Sequence, residues 1–136
     1  REEQPDSGPV LSDVAKLVEE SRAAGMVVRL SIEGEERPLK AEAGRTAYRV
    51  VQEALTNVHK HAPGAEALVR VAYRPQEVAV LVENGPSDGR PSAALPSGGN
   101  GLIGMRERVL ALGGGFVAGP KDGGGFRVSA LLPDRR

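Results

Sequence analysis

Glu53, Asn57, Lys60 and His61 follow one another at i, i+4, i+7 and i+8 within Gln52-Glu53-Ala54-Leu55-Thr56-Asn57-Val58-His59-Lys60-His61-Ala62. At ~100° per residue they align as one stripe on a helix. A carboxylate, a neutral amide, an ammonium and an imidazole on such a stripe can line a pocket and give oxygen ligands to a metal ion that carries phosphates. The same four residues can equally form a solvated helix flank with a Glu-Asn pair. His59 and His61, two apart, fall on different faces, which argues against a paired zinc site.

The stripe needs a helix that is held in place. Ala47, Val50, Val51, Ala54, Leu55 and Val58 form an apolar arc with core-facing spacing, and the polar stripe runs along its edge. Arg49, Gln52, Thr56 and His59 take the solvent side. This helix is expected from about Ala43 until Pro63-Gly64 stops it.

The rest of the 136 residues suit one domain. Apolar residues are 40% and aromatics 3%, so a core must be built from Val, Leu, Ala and Ile, and platforms for stacking nucleic acid bases are missing. Eighteen basic residues balance eighteen acidic ones, which removes the footprint of a general DNA or membrane-surface binder. Without cysteine there is neither a disulfide framework nor a thiolate metal site, compatible with a reducing cytoplasm. No run approaches the ~20 apolar residues of a membrane span. Residues 1–9 are expected to be a polar linker from an upstream region, 10–133 the domain, and 134–136 a tail.

Periodicity predicts a first helix over Leu11 to Ala24, closed by Gly25, and a strand over Val27 to Ile32. Beyond the polar-striped helix come strands over Leu68 to Tyr73 and Glu77 to Val82, then a long Gly, Pro and Ser rich loop from Glu83 to Gly101. A third helix over Leu102 to Leu112 and strands over Phe116 to Ala118 and Phe126 to Leu132 complete the chain. Three helices and about five strands predict an α/β two-layer sandwich, with the helices over one face of a mixed, largely antiparallel sheet.

Gly99-Asn100-Gly101-Leu102-Ile103-Gly104 runs from that loop into the third helix, so backbone N–H groups are delivered to a helix N-terminus, a favourable place for phosphates. It has neither the Lys-Ser/Thr ending of a Walker loop nor the preceding strand of a Rossmann fingerprint. Three segments together carry a resemblance: the Gln52 to Ala62 stretch, Gly99 to Arg108 with its Gly-Leu-x-Gly-Met-x-Glu-Arg run, and Gly123-Gly124-Gly125-Phe126-Arg127-Val128. In that order they resemble the N box and the later glycine boxes of the ATP-binding catalytic domain of bacterial two-component sensor histidine kinases, in the gyrase, Hsp90, histidine kinase and MutL superfamily. The subgroup that pairs with LuxR-type response regulators is the most similar, and the resemblance covers roughly Val10 to Pro133.

The resemblance implies a Bergerat-type fold and the cofactors ATP and Mg²⁺. It implies that Asn57 ligates Mg²⁺ and that Glu53 binds or orients a metal-bound water or assists proton transfer. Lys60 and His61 would lie near the phosphates, with Gly99, Asn100, Gly101, Leu102, Gly104 and Met105 on the nucleotide side and the loop from Pro86 to Gly98 as a lid. The partners implied are the dimerisation and histidine phosphotransfer domain of the same kinase, whose acceptor helix is absent from this chain, and the response regulator. No nucleic acid partner is implied. The whole protein would be a homodimer with this domain cytoplasmic, and an inner-membrane anchor is left open.

One motif departs from the family pattern. The first glycine box normally reads Asp-x-Gly-x-Gly, its aspartate accepting from the adenine amino group, whereas this chain has Val82-Glu83-Asn84-Gly85-Pro86-Ser87. Alignment on Gly85 puts Glu83 at the aspartate position; the alternation of Val78, Val80 and Val82 favours Asn84. An uncharged amide can accept the same N–H more weakly, and Asn84-Gly85 can also be no more than a turn. Two other functions fit the fold: a serine kinase of the anti-sigma-factor type, and a degenerate interaction module without nucleotide.

Overall fold

The computed structural model describes residues 8–86 and 100–134. A single 3-10 turn, Leu11–Asp13, leads into α1 (Val14–Ala23), followed by β1 (Val27–Glu33), α2 (Ala41–His61), β2 (Glu66–Arg74), β3 (Glu77–Asn84), α3 (Asn100–Ala111), β4 (Gly115–Pro120) and β5 (Phe126–Pro133). The strands form one sheet in the order β1-β2-β3-β5-β4. Its pairing follows from the connections. The long crossover through α2 leaves β1 parallel to β2, with Leu30 opposite Val69, while the tight Pro75-Gln76 turn makes β2 and β3 antiparallel. β3 with β5 and β4 with β5 are antiparallel as well, so the sheet is mixed as expected.

The core lies on one face of this sheet. Val69, Val71, Val78, Val80, Val82, Val128, Ala130 and Leu132 are buried at alternate positions and meet Val14 and Val18 of α1, Val50, Val51, Ala54, Leu55 and Val58 of α2, and Leu102, Met105 and Val109 of α3. The opposite face carries ion pairs instead, among them Arg70 with Glu33 and Arg127 with Glu83. α1 ends where Gly25 turns the chain with φ +100°, and Arg22 Nε donates to Val28 O at 2.9 Å, tying the helix to the first strand.

Two boundaries differ from the sequence expectation for identifiable reasons. β3 continues through Glu83 and Asn84, because both are paired on each side, Asn84 with Ala67 and Phe126. Ladder pairing thus outweighs the turn preference of an Asn-Gly dipeptide. Asp134, assigned to a tail, is 1% exposed. Its Oδ1 accepts from the backbone N–H of Lys40 at 2.9 Å, at the start of α2, and its Oδ2 accepts from Arg37 at 3.2 Å. The guanidinium of Arg37 also lies 6.0 Å from the centre of the Tyr73 ring.

That buried pair leads to the first prediction. Asp134→Ala strands Arg37 and frees the entry to α2, and should cost about 3 kcal/mol in urea denaturation; Glu77→Ala, which removes an exposed pair with Arg74, should cost less than about 1 kcal/mol. Equal losses would refute the latch. A second prediction concerns alkaline pH. Burial raises the Tyr48 hydroxyl above its ordinary value of 10.0, helped by Glu20 and Asp13. Burial also raises Tyr73, with Glu36 adding and Arg37 opposing. The folded state thus favours the neutral phenols, so their contribution is complete below pH 10.0 and is lost as pH rises toward the folded values. Replacing both by Phe should flatten the fall in thermal midpoint above that pH.

Candidate functional site

α2 presents the two faces expected of it. Its apolar arc is buried, while Arg49, Gln52, Thr56 and His59 are exposed. Glu53, Asn57 and His61 are half-buried along the edge of the packed face. Lys60 departs from them: it is exposed, and of the stripe it stands furthest toward solvent. His59, Lys60 and His61 occupy the last turn, where cations complement the negative end of the helix dipole, and Glu42 occupies the first.

The side-chain edge of α2 meets the beginning of α3. A Cβ built on Gly101 would overlap the Glu53 carboxylate, so the two helices touch at two residues to which the resemblance gives a part in the expected site. Gly104, one turn on, has no described residue within 4 Å of its Cβ position. Leu102 and Met105, named with these glycines, turn the other way: at 8% and 9% exposure they pack in the core with Val109. What they can offer a ligand is backbone. Gly99 and all of the proposed lid beyond Pro86 lie outside the described residues, as does the side chain of Asn100.

The strand register separates Glu83 from Asn84. Asn84 is buried on the face that α2 covers, in phase with Val78, Val80 and Val82. Its amide nitrogen donates to Gly85 O at 2.8 Å, leaving the amide oxygen without a hydrogen bond among the described residues. Glu83 points to the other face, where Arg127 Nε lies at 3.1 Å and Lys121 Nζ at 3.9 Å. The pleat thus puts Glu83, the residue chosen by alignment on Gly85, on the sheet face opposite Asn84 and away from α2.

Against Asn84 the structure sets a segment missing from the expected site. Gly123, Gly124 and Gly125 all have positive φ. A side chain on Gly125 would overlap the Asn84 carbonyl, and one on Gly124 would come within 3.2 Å of Pro86. The last glycine cluster is thus packed under the end of β3, a contact that its glycine content signals but that only the hairpin between β4 and β5 creates. A separate hollow of about 600 Å³, with Arg45, Arg49 and Arg108 on its walls, includes none of the expected site residues.

No family model matches the chain. Over 116 residues, 85% of its length, it is 37% identical to the signal transduction histidine-protein kinase/phosphatase UhpB of Salmonella typhimurium, of which it covers 22%. The chain spans between 22% and 32% of the length of the curated relatives it matches. Its fold is that of the histidine kinase domain of a blue-light activated histidine kinase from Erythrobacter litoralis, with a TM-score of 0.65 at 20% identity over 92% of this chain and 65% of that one. It also matches full-length ShkA, solved in complex with AMPPNP, with a TM-score of 0.67 at 14% identity over 98% of this chain and 32% of that one. By sequence relationship and by fold, the chain belongs to the sensor histidine kinase family and has the architecture of its catalytic domain.

Proposed function

We propose that this chain binds Mg-ATP between α2 and α3. In this reading it presents the γ-phosphate to a histidine on the dimerisation and histidine phosphotransfer domain of a longer homodimeric kinase, whose signalling partner is a LuxR-type response regulator. The observation that carries the proposal is the meeting of the polar edge of α2 with the first turn of α3, Glu53 against Gly101, with no described residue crowding Gly104 one turn on. The kinase names of the relatives support a histidine acceptor over the serine acceptor of an anti-sigma-factor kinase. Among the described residues no helix is long and apolar enough to cross a membrane; a cytoplasmic position, with any anchor elsewhere in the longer protein, is part of the proposal.

The donor set fits magnesium that arrives with phosphates. Glu53 and Asn57 stand one turn apart on α2 and offer hard oxygens, and magnesium characteristically takes one or two protein oxygens while keeping water and phosphate. Among the described residues no group of three or more His, Cys, Asp or Glu could hold an ion unaided. The ion supplies charge neutralisation for the transferring phosphoryl group. Asn57 would fix its position, and Glu53 would orient a water on it or take the proton released by the attacking imidazole. The N–H groups in the first turn of α3 favour phosphate oxygens, and in the last turn of α2 Lys60 adds positive charge and His61 a ring nitrogen that can hydrogen-bond. At the other end the Asn84 amide oxygen would accept from the adenine amino group. Without a formal charge, that hydrogen bond is weaker than a carboxylate would make.

Calorimetry with ATP and Mg²⁺ tests the core of this proposal: binding should be measurable and should weaken by at least about tenfold in Asn57→Ala. Chelating Mg²⁺ should weaken the unaltered chain in the same way and change Asn57→Ala little. Absence of binding at millimolar ATP, with Asn57→Ala indistinguishable, would favour the degenerate module. The adenine end makes its own prediction. Asn84→Ala should lower ATP affinity by about tenfold and Asn84→Asp should raise it, whereas Glu83→Gln should stay within about twofold. The opposite ranking would put the adenine contact on the Glu83 face.

A further inference from the structure

Glycine at 101 and glycine at 104 are small for different reasons. The position of a Cβ on Gly101 is already occupied by the end of the Glu53 side chain, whose Oε2, Cδ and, at 2.9 Å, Oε1 are the nearest atoms. Among the described residues no such neighbour exists at Gly104. Gly101 is not among the glycines with positive φ, so what the chain needs there is room, not conformational freedom. Glu53 is also well placed electrostatically, since the first turn of a helix attracts a carboxylate.

We infer that Gly101 is a positioning residue, and that its missing side chain is the seat in which α3 holds the Glu53 carboxylate toward the metal side of the site. The functional consequence rests on the Mg-ATP reading; the seat itself does not. Because the overlap is with the end of a flexible side chain rather than with backbone, a methyl group at 101 turns Glu53 away and leaves α3 in place. The core contacts of Leu102, Met105 and Val109 with α2 are then kept. The carboxylate direction thus depends on the position of α3, and a displacement of the first turn of α3 would unseat it. A phosphate-facing role for Gly101 predicts something different: a substitution would then act on the nucleotide directly, whatever residue stands at 53.

The test compares the unaltered chain with Gly101→Ala, Gly104→Ala, Glu53→Ala and the double variant Gly101→Ala/Glu53→Ala. Three quantities are read: the carbon-13 shift of the Glu53 carboxyl carbon without nucleotide, the thermal midpoint, and the Mg²⁺ concentration that half-saturates ATP binding. Gly101→Ala should move the Glu53 resonance with little change in midpoint and raise the Mg²⁺ requirement by about tenfold; Gly104→Ala should leave that resonance where it is. The double variant should need no more Mg²⁺ than Glu53→Ala alone, the non-additivity of two changes acting through one group. Should Gly101→Ala fail to fold, folding of the double variant identifies the same overlap, and its failure overturns the seat. An unmoved Glu53 resonance in Gly101→Ala, or losses that add in the double variant, overturns it too. If the unaltered chain binds no ATP, the Mg-ATP reading fails while the resonance still decides the seat.

Discussion

Burial of α2 against the sheet sets the position of almost everything else. Val50, Val51, Ala54, Leu55 and Val58 are all buried beneath 21 residues of helix. Full burial of a Val or Leu contributes about 2 kcal/mol, so this face outweighs the cost of half-desolvating the polar edge beside it. The same packing fixes the phase of the helix. A rotation of one residue, ~100°, would drive Glu53 and Asn57 into the valine layer or carry them away from α3. The chemistry proposed for α2 is therefore held by residues with no chemistry of their own.

The sheet solves a parallel problem by alternation. Between Glu83 and Asn84 the pleat sends one side chain to Arg127 and the next to the covered face. Neither net charge nor composition could reveal this, because the chain as a whole is neutral and its charges are sorted by face. On the outer face the carboxylates meet guanidinium and ammonium groups; at the end of β3 on the inner face is the buried Asn84 amide, whose oxygen accepts no hydrogen bond among the described residues. The separation keeps the anionic Glu83 away from the site proposed for an anionic ligand.

Much of this was legible in the sequence wherever period and burial coincide. The apolar arc of α2, the exposure of Arg49, Gln52, Thr56 and His59, and the mixed sheet follow from spacing alone, and alternation through Val78, Val80 and Val82 chose the face of Asn84. What was not legible depends on partners distant in the chain. Asp134 reads as a tail residue until Lys40 and Arg37 are placed beside it, 94 and 97 positions away. Gly101 reads as a flexible loop glycine until Glu53 fills its missing side chain. β3 reads as ending at Val82 until Phe126 and Ala67 pair with Asn84. Local signals describe each segment correctly and stay silent on which segment completes it.

The strand order has a consequence for synthesis from the N-terminus. β5 is the last strand in chain order, yet it lies inside the sheet, between β3 and β4. Until it emerges, β3 presents an open edge of alternating valines, the kind of surface that recruits foreign strands, and α2 lacks the Asp134 carboxylate that receives the N–H of Lys40 at its entry. The closing segment thus carries both the strand that pairs β3 on its second side and the carboxylate that fastens the entry of α2, and the open edges of the completed sheet are β1 and β4.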